Sequence, residues 1–290
     1  MIPVWIDIEH KKHETKGHHP EDPRRLGPVL NAIRDLPITL HVRDDPVLKD
    51  LDFMPRHTGG DMYWTPYTKD LLKRGKEMIE EACATLLSRK EGCCDCAFVL
   101  IRPPGHHSDN TGSAEGFCHQ NNAWIAATLF QSAGLSNITI LDWDAHHGDG
   151  TESYIKAAGT DTIRFCSLHA YGPNVYPGTG AEIMTPTLLN VPLPVGTRTR
   201  TYMKQFQNIV VPWLGSGTSK KPDVIIVSAG YDGHREDPME LLGLGESAYK
   251  EMSAELKKFG CPVLFLLEGG YNPEVLGSCV KATLEPWITF

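Results

Sequence analysis

Three carboxylates and two imidazoles stand within nine residues of this chain, in Asp142-Trp-Asp144-Ala-His146-His147-Gly-Asp149-Gly150. Carboxylate and imidazole together, of borderline hardness, suit zinc or ferrous iron. On an extended backbone Asp142, Asp144 and His146 point to one side and Trp143, Ala145 and His147 to the other, so Asp144 and His146 can share one cation. A catalytic zinc site takes three protein ligands and keeps one position open, so a third must come from elsewhere. Asp232 is the candidate, because it follows the apolar, β-branched run at 223–229 in Gly230-Tyr231-Asp232-Gly233.

Two further groups complete a reaction. His106 and His107 follow Arg102-Pro-Pro-Gly, where two prolines stiffen the turn and place the imidazoles with little freedom. Tyr271 follows Glu268-Gly-Gly, whose glycines allow a close backbone approach to a ligand and aim the hydroxyl inward. Such a set describes metal-assisted hydrolysis of a carbonyl: the cation polarises it and activates water, a histidine moves the proton to the leaving amine, and the tyrosine stabilises the oxyanion. Each histidine then needs a carboxylate to set its tautomer, and Asp142 and Asp149 are the ones to spare. The His18-His19 pair, with no carboxylate or cysteine at ligand spacing beside a strand end, reads as a solvated loop. A lone Cys93-Cys94-Asp-Cys96, without a second pair, reads as a plain loop too.

The elements that must position these groups are short apolar runs at 4–8, 38–42, 96–101, 138–142, 163–169, 223–229 and 263–267, each stopping at turn residues, as buried strands do. Between them lie helical patterns. Leu26, Val29, Leu30 and Ile33 recur after Pro23, Leu71, Leu72, Met78, Ile79, Ala82 and Leu86 recur within 66–89, and further helices are expected at 121–133, 201–214 and 248–259. Alternating strands and helices predict an α/β fold with a mostly parallel sheet, whose ligands sit beyond the carboxyl ends of the strands. Two loops stand out: 44–67, with His57, Asp61, Tyr63 and Trp64, and 171–180, whose tyrosines can line a slot.

At 290 residues and 41% hydrophobic, one large domain spanning 1–290 is expected. A formal charge of −8 excludes the basic face of a nucleic-acid binder. No run approaches the roughly 18 apolar residues of a membrane span, and the first residues lack the basic and apolar regions of a signal peptide. With eight scattered cysteines, several inside apolar runs, these features predict an intracellular protein, the cytoplasm being the expected compartment and the nucleus compatible as well. Oligomeric state has no sequence signature here.

The motifs Arg102-Pro-Pro-Gly-His106-His107, Gly116-Phe117-Cys118, Asp142-Trp-Asp144-Ala-His146-His147-Gly-Asp149-Gly-Thr-Glu152, Pro177-Gly-Thr-Gly180 and Glu268-Gly-Gly-Tyr271 stand in the order of a known family. The chain resembles the zinc-dependent histone deacetylases over nearly its whole length. His19-Pro-Glu21 and Glu268-Gly-Gly-Tyr271 are similar to the class II members and the bacterial histone deacetylase-like amidohydrolases. The resemblance implies a three-layer α/β/α domain of the arginase/deacetylase type with an acetyl-lysine tunnel, acting on an acetylated protein or peptide. It implies one catalytic zinc ion on Asp144, His146 and Asp232, His107 as the proton-transferring histidine backed by Asp149, and His106 as its electrostatic partner backed by Asp142. Tyr271 would polarise the acetyl carbonyl, Phe117 and Tyr176 would wall the tunnel, and Gly116 would touch the substrate stem. Arg25 matches an arginine near an internal cavity, and Asp142, Asp144, His146, Ser167 and Leu168 match a potassium site. Met239 stands where an acidic residue marks polyamine deacetylases, so an apolar side chain there disfavours a cationic polyamine. The loop from 57 to 64 is short for the family and offers no match to the rim residue that holds a substrate backbone.

Three other readings compete. An amidohydrolase of acetylpolyamines or another small acylated amine would share the fold, and the negative charge would attract such cations. A binuclear manganese ureohydrolase needs a further carboxylate two residues past the histidine, where this chain has Gly148. A catalytically dead module that recognises acylated proteins would have lost a ligand or the tyrosine, and both are present.

Overall fold

The strand and helix signals resolve into one nine-stranded sheet in a computed structural model that describes residues 1–15, 17–50, 62–88, 95–216 and 221–288. The strands are β1 (Ile2–Asp7), β2 (Ile38–Arg43), β3 (Cys96–Leu100), β4 (Ile138–Asp142), β5 (Ile163–Ala170), β6 (Ile183–Met184), β7 (Leu188–Leu193), β8 (Val224–Ala229) and β9 (Val263–Leu267). Their order is β2-β1-β3-β9-β8-β4-β5-β7-β6, every pairing being parallel except β6 with β7. The central strands are buried at every residue, as expected where both sheet faces are covered, which is why their sequences are apolar runs without alternation.

Helices α1 (Leu26–Ile33), α2 (Thr68–Leu87), α3 (Asn122–Ser132), α4 (Asp149–Ala158), α5 (Thr199–Gln205), α6 (Val211–Gly215), α7 (Glu246–Lys257) and α8 (Pro273–Leu284) supply the covers. On one face α1, α5, α6, α7 and α8 pack over Val4, Phe98, Leu141, Val227 and Phe265; on the other α2, α3 and α4 pack over Trp5, Val99, Ile140, Ile226 and Leu264. This is the three-layer α/β/α arrangement expected from the sequence. The helix expected at 201–214 runs from Thr199 to Gly215 but passes through a π-helical stretch at Phe206–Val210. Pro212, which has no N–H to donate, stands two residues past the end of that stretch.

Strands β6 and β7 and helices α4 and α8 lie outside the sequence expectations. Pro192 weakens the strand signal of β7, while α4 opens inside the polar cluster and Gly277 and Ser278 blur the period of α8. The six described cysteines are buried thiols. His57, Asp61, Cys93 and Cys94 lie outside the described residues.

In the sheet order β3, β9, β8 and β4 are consecutive neighbours. Being parallel, they end on the same side, so four loops from distant parts of the chain open at the centre of one sheet edge.

Candidate active site

Strand β4 ends at Asp142. The extended alternation expected for Asp142, Asp144 and His146 therefore does not continue, because Asp142 Oδ1 accepts the Asp144 N–H at 3.0 Å and turns the chain. Asp142 Oδ2 faces His106 instead, leaving Asp144 and His146 to meet Asp232 from the end of β8. Backbone N–H groups hold the two ligand carboxylates: Gly269 donates to Asp144 Oδ2 at 2.9 Å and Ala145 to Asp232 Oδ1 at 2.8 Å. A Cβ on Gly230 would lie 2.0 Å from Asp144 Oδ2, so no larger residue fits beside that ligand.

His146 Nδ1 lies 3.1 Å from Asp144 Oδ1 and 2.8 Å from Asp232 Oδ2. Donors bonded to zinc at about 2.0–2.1 Å in a tetrahedron stand about 3.3 Å apart, so these three atoms have the spacing of a coordination shell. Asp232 Oδ2 is buried and makes no aligned hydrogen bond, a cost that a cation would remove. Burial alone would lower the His146 pKa, but the charges of Asp232 and Asp144 raise it to about 10, the mark of a pocket with excess negative charge. The donor set and its electrostatics fit a divalent ion.

Two histidines approach from the end of β3. His106 Nδ1 meets Asp142 Oδ2 at 2.9 Å and His107 Nδ1 meets Asp149 Oδ1 at 2.6 Å, the rings lying 4.0 Å apart. Their charges are pushed in opposite directions. Burial disfavours charge on both, yet Asp144 and Asp142 outweigh it at His106 and raise its pKa well above the ordinary value. At His107 burial and the neighbouring charge of His106 prevail over Asp149, lowering the pKa to about 4. Near neutral pH the pair is one cation and one neutral acceptor. The sequence assigns no role to Glu268, but its Oε2 accepts the N–H groups of Gly105 at 2.6 Å and His106 at 3.2 Å and so fixes this turn.

Tyr271 follows β9. Its N–H donates to Asp237 Oδ2 at 2.7 Å, and its ring lies under the Arg25 guanidinium, 4.9 Å away, and edge-on to Phe117 at 5.8 Å. Arg25 is itself tied to the carbonyls of Gly270 and Glu268, both at 2.6 Å, and to Glu21 at 3.1 Å. Burial, then the charge of Asp232, raises the Tyr271 pKa well above the usual phenol range, so the hydroxyl keeps its proton.

The expected wall residues gather around these groups. Tyr176 meets His107 edge-on at 4.9 Å, and a Cβ on Gly116 would lie 2.3 Å from the His107 ring and 3.1 Å from Tyr176. Half-buried Met239 donates its N–H to Asp237 Oδ1 at 3.0 Å, which joins it to Tyr271 through one carboxylate. His19 departs from the expected solvated loop: its ring packs edge-on against Phe117 at 4.6 Å and Tyr63 at 4.8 Å. Both partners lie far along the chain from His19, so no local spacing announces the contact. Among the expected potassium ligands, Ser167 pairs with Asp142 in the β4–β5 register, and the Leu168 carbonyl accepts the Tyr202 hydroxyl at 3.4 Å.

Residues 19–286 match the model of the histone deacetylase domain. Histone deacetylase 15 of Arabidopsis thaliana is 32% identical over 95% of this chain, which spans 54% of that relative's length. The crystal structure of the HDA15 HD domain superposes with a TM-score of 0.84 at 27% identity, covering 98% of this chain and 88% of that one. Acetylpolyamine amidohydrolase 1 of Pseudomonas aeruginosa is 33% identical over 62% of this chain and 52% of its own length.

Proposed function

The chain belongs to the histone deacetylase domain family, and from that premise we propose that residues 1–290 form a single deacetylase domain that hydrolyses the amide of N-ε-acetyl-lysine in a protein or peptide. The observation that carries this reading is the juxtaposition of the Asp144, His146 and Asp232 cluster with a neutral His107 and a protonated Tyr271. A zinc ion held by those three residues supplies a Lewis acid that polarises a carbonyl and makes water nucleophilic at neutral pH.

The protein's own groups do the rest. Neutral His107 accepts the proton of the attacking water at its free ring nitrogen, and Asp149 on Nδ1 stabilises the imidazolium that results. His106, charged against Asp142, adds positive potential where negative charge develops, and the Tyr271 hydroxyl donates to the oxyanion. His107 then returns its proton to the departing lysine amine, releasing acetate. Phe117, Tyr176, Gly116 and Met239 form the wall that receives the acyl-lysine stem. Asp142, Asp144, His146, Ser167 and Leu168 are the residues that would hold a potassium ion in this reading, and the ion would take no part in the proton transfers.

An acetylpolyamine or other small acylated amine is the second reading, favoured by the likeness to acetylpolyamine amidohydrolase 1 and by the charge of −8, and opposed by apolar Met239. The binuclear manganese alternative gains nothing from the structure, because a Cβ at Gly148 would lie 2.2 Å from Asp142 Oδ2. No helix among the described residues is long and apolar enough to cross a membrane.

Side-by-side kinetics on an acetyl-lysine peptide, a longer acyl-lysine peptide and acetylspermidine, each with and without a zinc chelator, test the assignment. Chelator-sensitive turnover of peptide is expected. Preference for acetylspermidine would move it to polyamines, and no turnover on any of the three would leave a binding module.

The pH profile is a second test. His107 works unprotonated, so the acid limb of kcat/KM follows its pKa of about 4 rather than the ordinary imidazole value. His106→Gln removes the neighbouring positive charge that helps lower it, so His107 should gain its proton at higher pH and the acid limb should move up. A limb that stays in place would separate His107 from the proton transfer.

A further inference from the structure

We propose that His106, Cys118 and Glu268 form a second metal site that takes a borderline divalent cation such as zinc and switches the enzyme off when filled. All three residues are buried, and one donor atom from each lies within 4.8 Å of the others. Thiol, imidazole and carboxylate are the donor types of zinc sites, and a sulfur donor makes this set softer than the one at Asp144, His146 and Asp232.

Each residue is already held as a ligand would be. Glu268 Oε2 is anchored by the N–H groups of Gly105 and His106, while Oε1, on a side chain only 1% exposed, has no hydrogen-bond partner. A buried carboxylate oxygen without a donor is costly unless a cation meets it. The His106 ring is fixed through Nδ1 by Asp142, the outer-shell carboxylate that typically orients a ligating histidine, which leaves Nε2 for an ion. Cys118 Sγ donates to the Gly116 carbonyl at 3.3 Å and accepts from the His107 backbone, and burial followed by the charge of Glu268 keeps it a thiol. When the metal–sulfur bond forms, the Cys118 proton passes to solvent, as does any proton on His106 Nε2 or on Glu268, whose carboxyl burial pushes up to about 7, and the ion takes their place.

Order and consequence follow from what the two sites share. His106 Nε2 lies 3.8 Å from Asp144 Oδ1, so the two ions would be close neighbours and would repel. The first site, with two carboxylates, fills first and the second binds more weakly. Once its Nε2 is bound, His106 is no longer available to the reaction, so occupancy inhibits. The metal binding stands without the proposed activity; only the inhibition rests on it.

Cobalt titration of the metal-free protein tests this, because the first site has no sulfur. Saturation at two equivalents is expected, with a near-ultraviolet thiolate-to-cobalt band that appears only with the second and is missing in Cys118→Ser. Glu268→Gln keeps an acceptor for the two N–H groups, removes the charged oxygen, and provides the same test should the serine variant fold poorly. Loss of even an outer-shell partner costs about 10–100-fold in metal affinity, so the zinc concentration that half-inhibits the holoenzyme should rise at least about tenfold in Glu268→Gln. Binding that stops at one equivalent, a thiolate band that survives Cys118→Ser, or zinc inhibition unchanged in Glu268→Gln would each overturn the proposal.

Discussion

Asp232→Ala is expected to lose its metal and with it measurable turnover, while the fold survives. Asp232 is the only one of the three ligands that comes from β8, and it supplies a carboxylate oxygen that no protein donor satisfies. Removing it leaves Asp144 and His146, two ligands where a catalytic zinc site takes three. The substitution also strands the Ala145 N–H, which donates to Asp232 Oδ1 at 2.8 Å. An unsatisfied buried donor costs about 1–3 kcal/mol, against a net stability of about 5–15 kcal/mol for an ordinary domain, so the chain should remain folded with a lower Tm. Asp232→Asn can keep that hydrogen bond and still lacks the charge, separating loss of metal from loss of stability. Metal content by mass spectrometry of the purified proteins, read beside Tm and turnover, decides the matter. A fully loaded and active Asp232→Ala protein would refute the ligand assignment.

Tyr271→Phe should behave in the opposite way, keeping stoichiometric metal and losing turnover. The Tyr271 ring is held by Arg25 above its face, by the edge of Phe117, and by the Asp237 carboxylate on its own N–H, none of which involves the hydroxyl. Phenylalanine should therefore sit in the same place. Only the donor to the developing oxyanion is lost, and deletion of one such donor costs about 10²–10³ in kcat. KM should change little, since that donor acts mainly on charge that appears in the transition state. Steady-state kinetics on the acetyl-lysine peptide, with metal content as the control, measure both quantities. Unchanged kcat would remove the tyrosine from the mechanism.

The buried charge network beneath these groups was only partly legible. Asp149 and Asp142 could be paired with the two histidines because hydrolytic chemistry requires a tautomer-fixing carboxylate behind each, and the structure places them at 2.6 and 2.9 Å. Glu268 had no such requirement attached to it, and its role rests on a contact between β9 and the turn after β3. His147 is similar. It looks like half of a metal-binding pair, yet it joins Glu152 at 2.9 Å and Thr179 at 2.8 Å, fastening α4 to the loop that carries Tyr176. The extended alternation already set it on the opposite side from His146, but its partners, 5 and 32 residues along the chain, are brought to it by the fold.

What the sequence by itself determined is the chemistry and its placement along the chain. Apolar runs long enough to cross a sheet and too short for helices stop at Asp142, at Gly230 ahead of Asp232, at Glu268 ahead of Tyr271, and at Arg102 ahead of His106 and His107. Burial on both faces demands continuous apolar side chains in parallel strands, so the polar groups can only collect where those strands end. What the tertiary structure decided is which ends are neighbours. The order β3-β9-β8-β4 brings His107, Tyr271, Asp232 and Asp144 together although the sequence separates them widely, and no local pattern encodes that order. It arises from how the helices on the two faces pack, which is also why the seating of His19 on Phe117 and of Glu268 under the histidine turn became visible only in three dimensions.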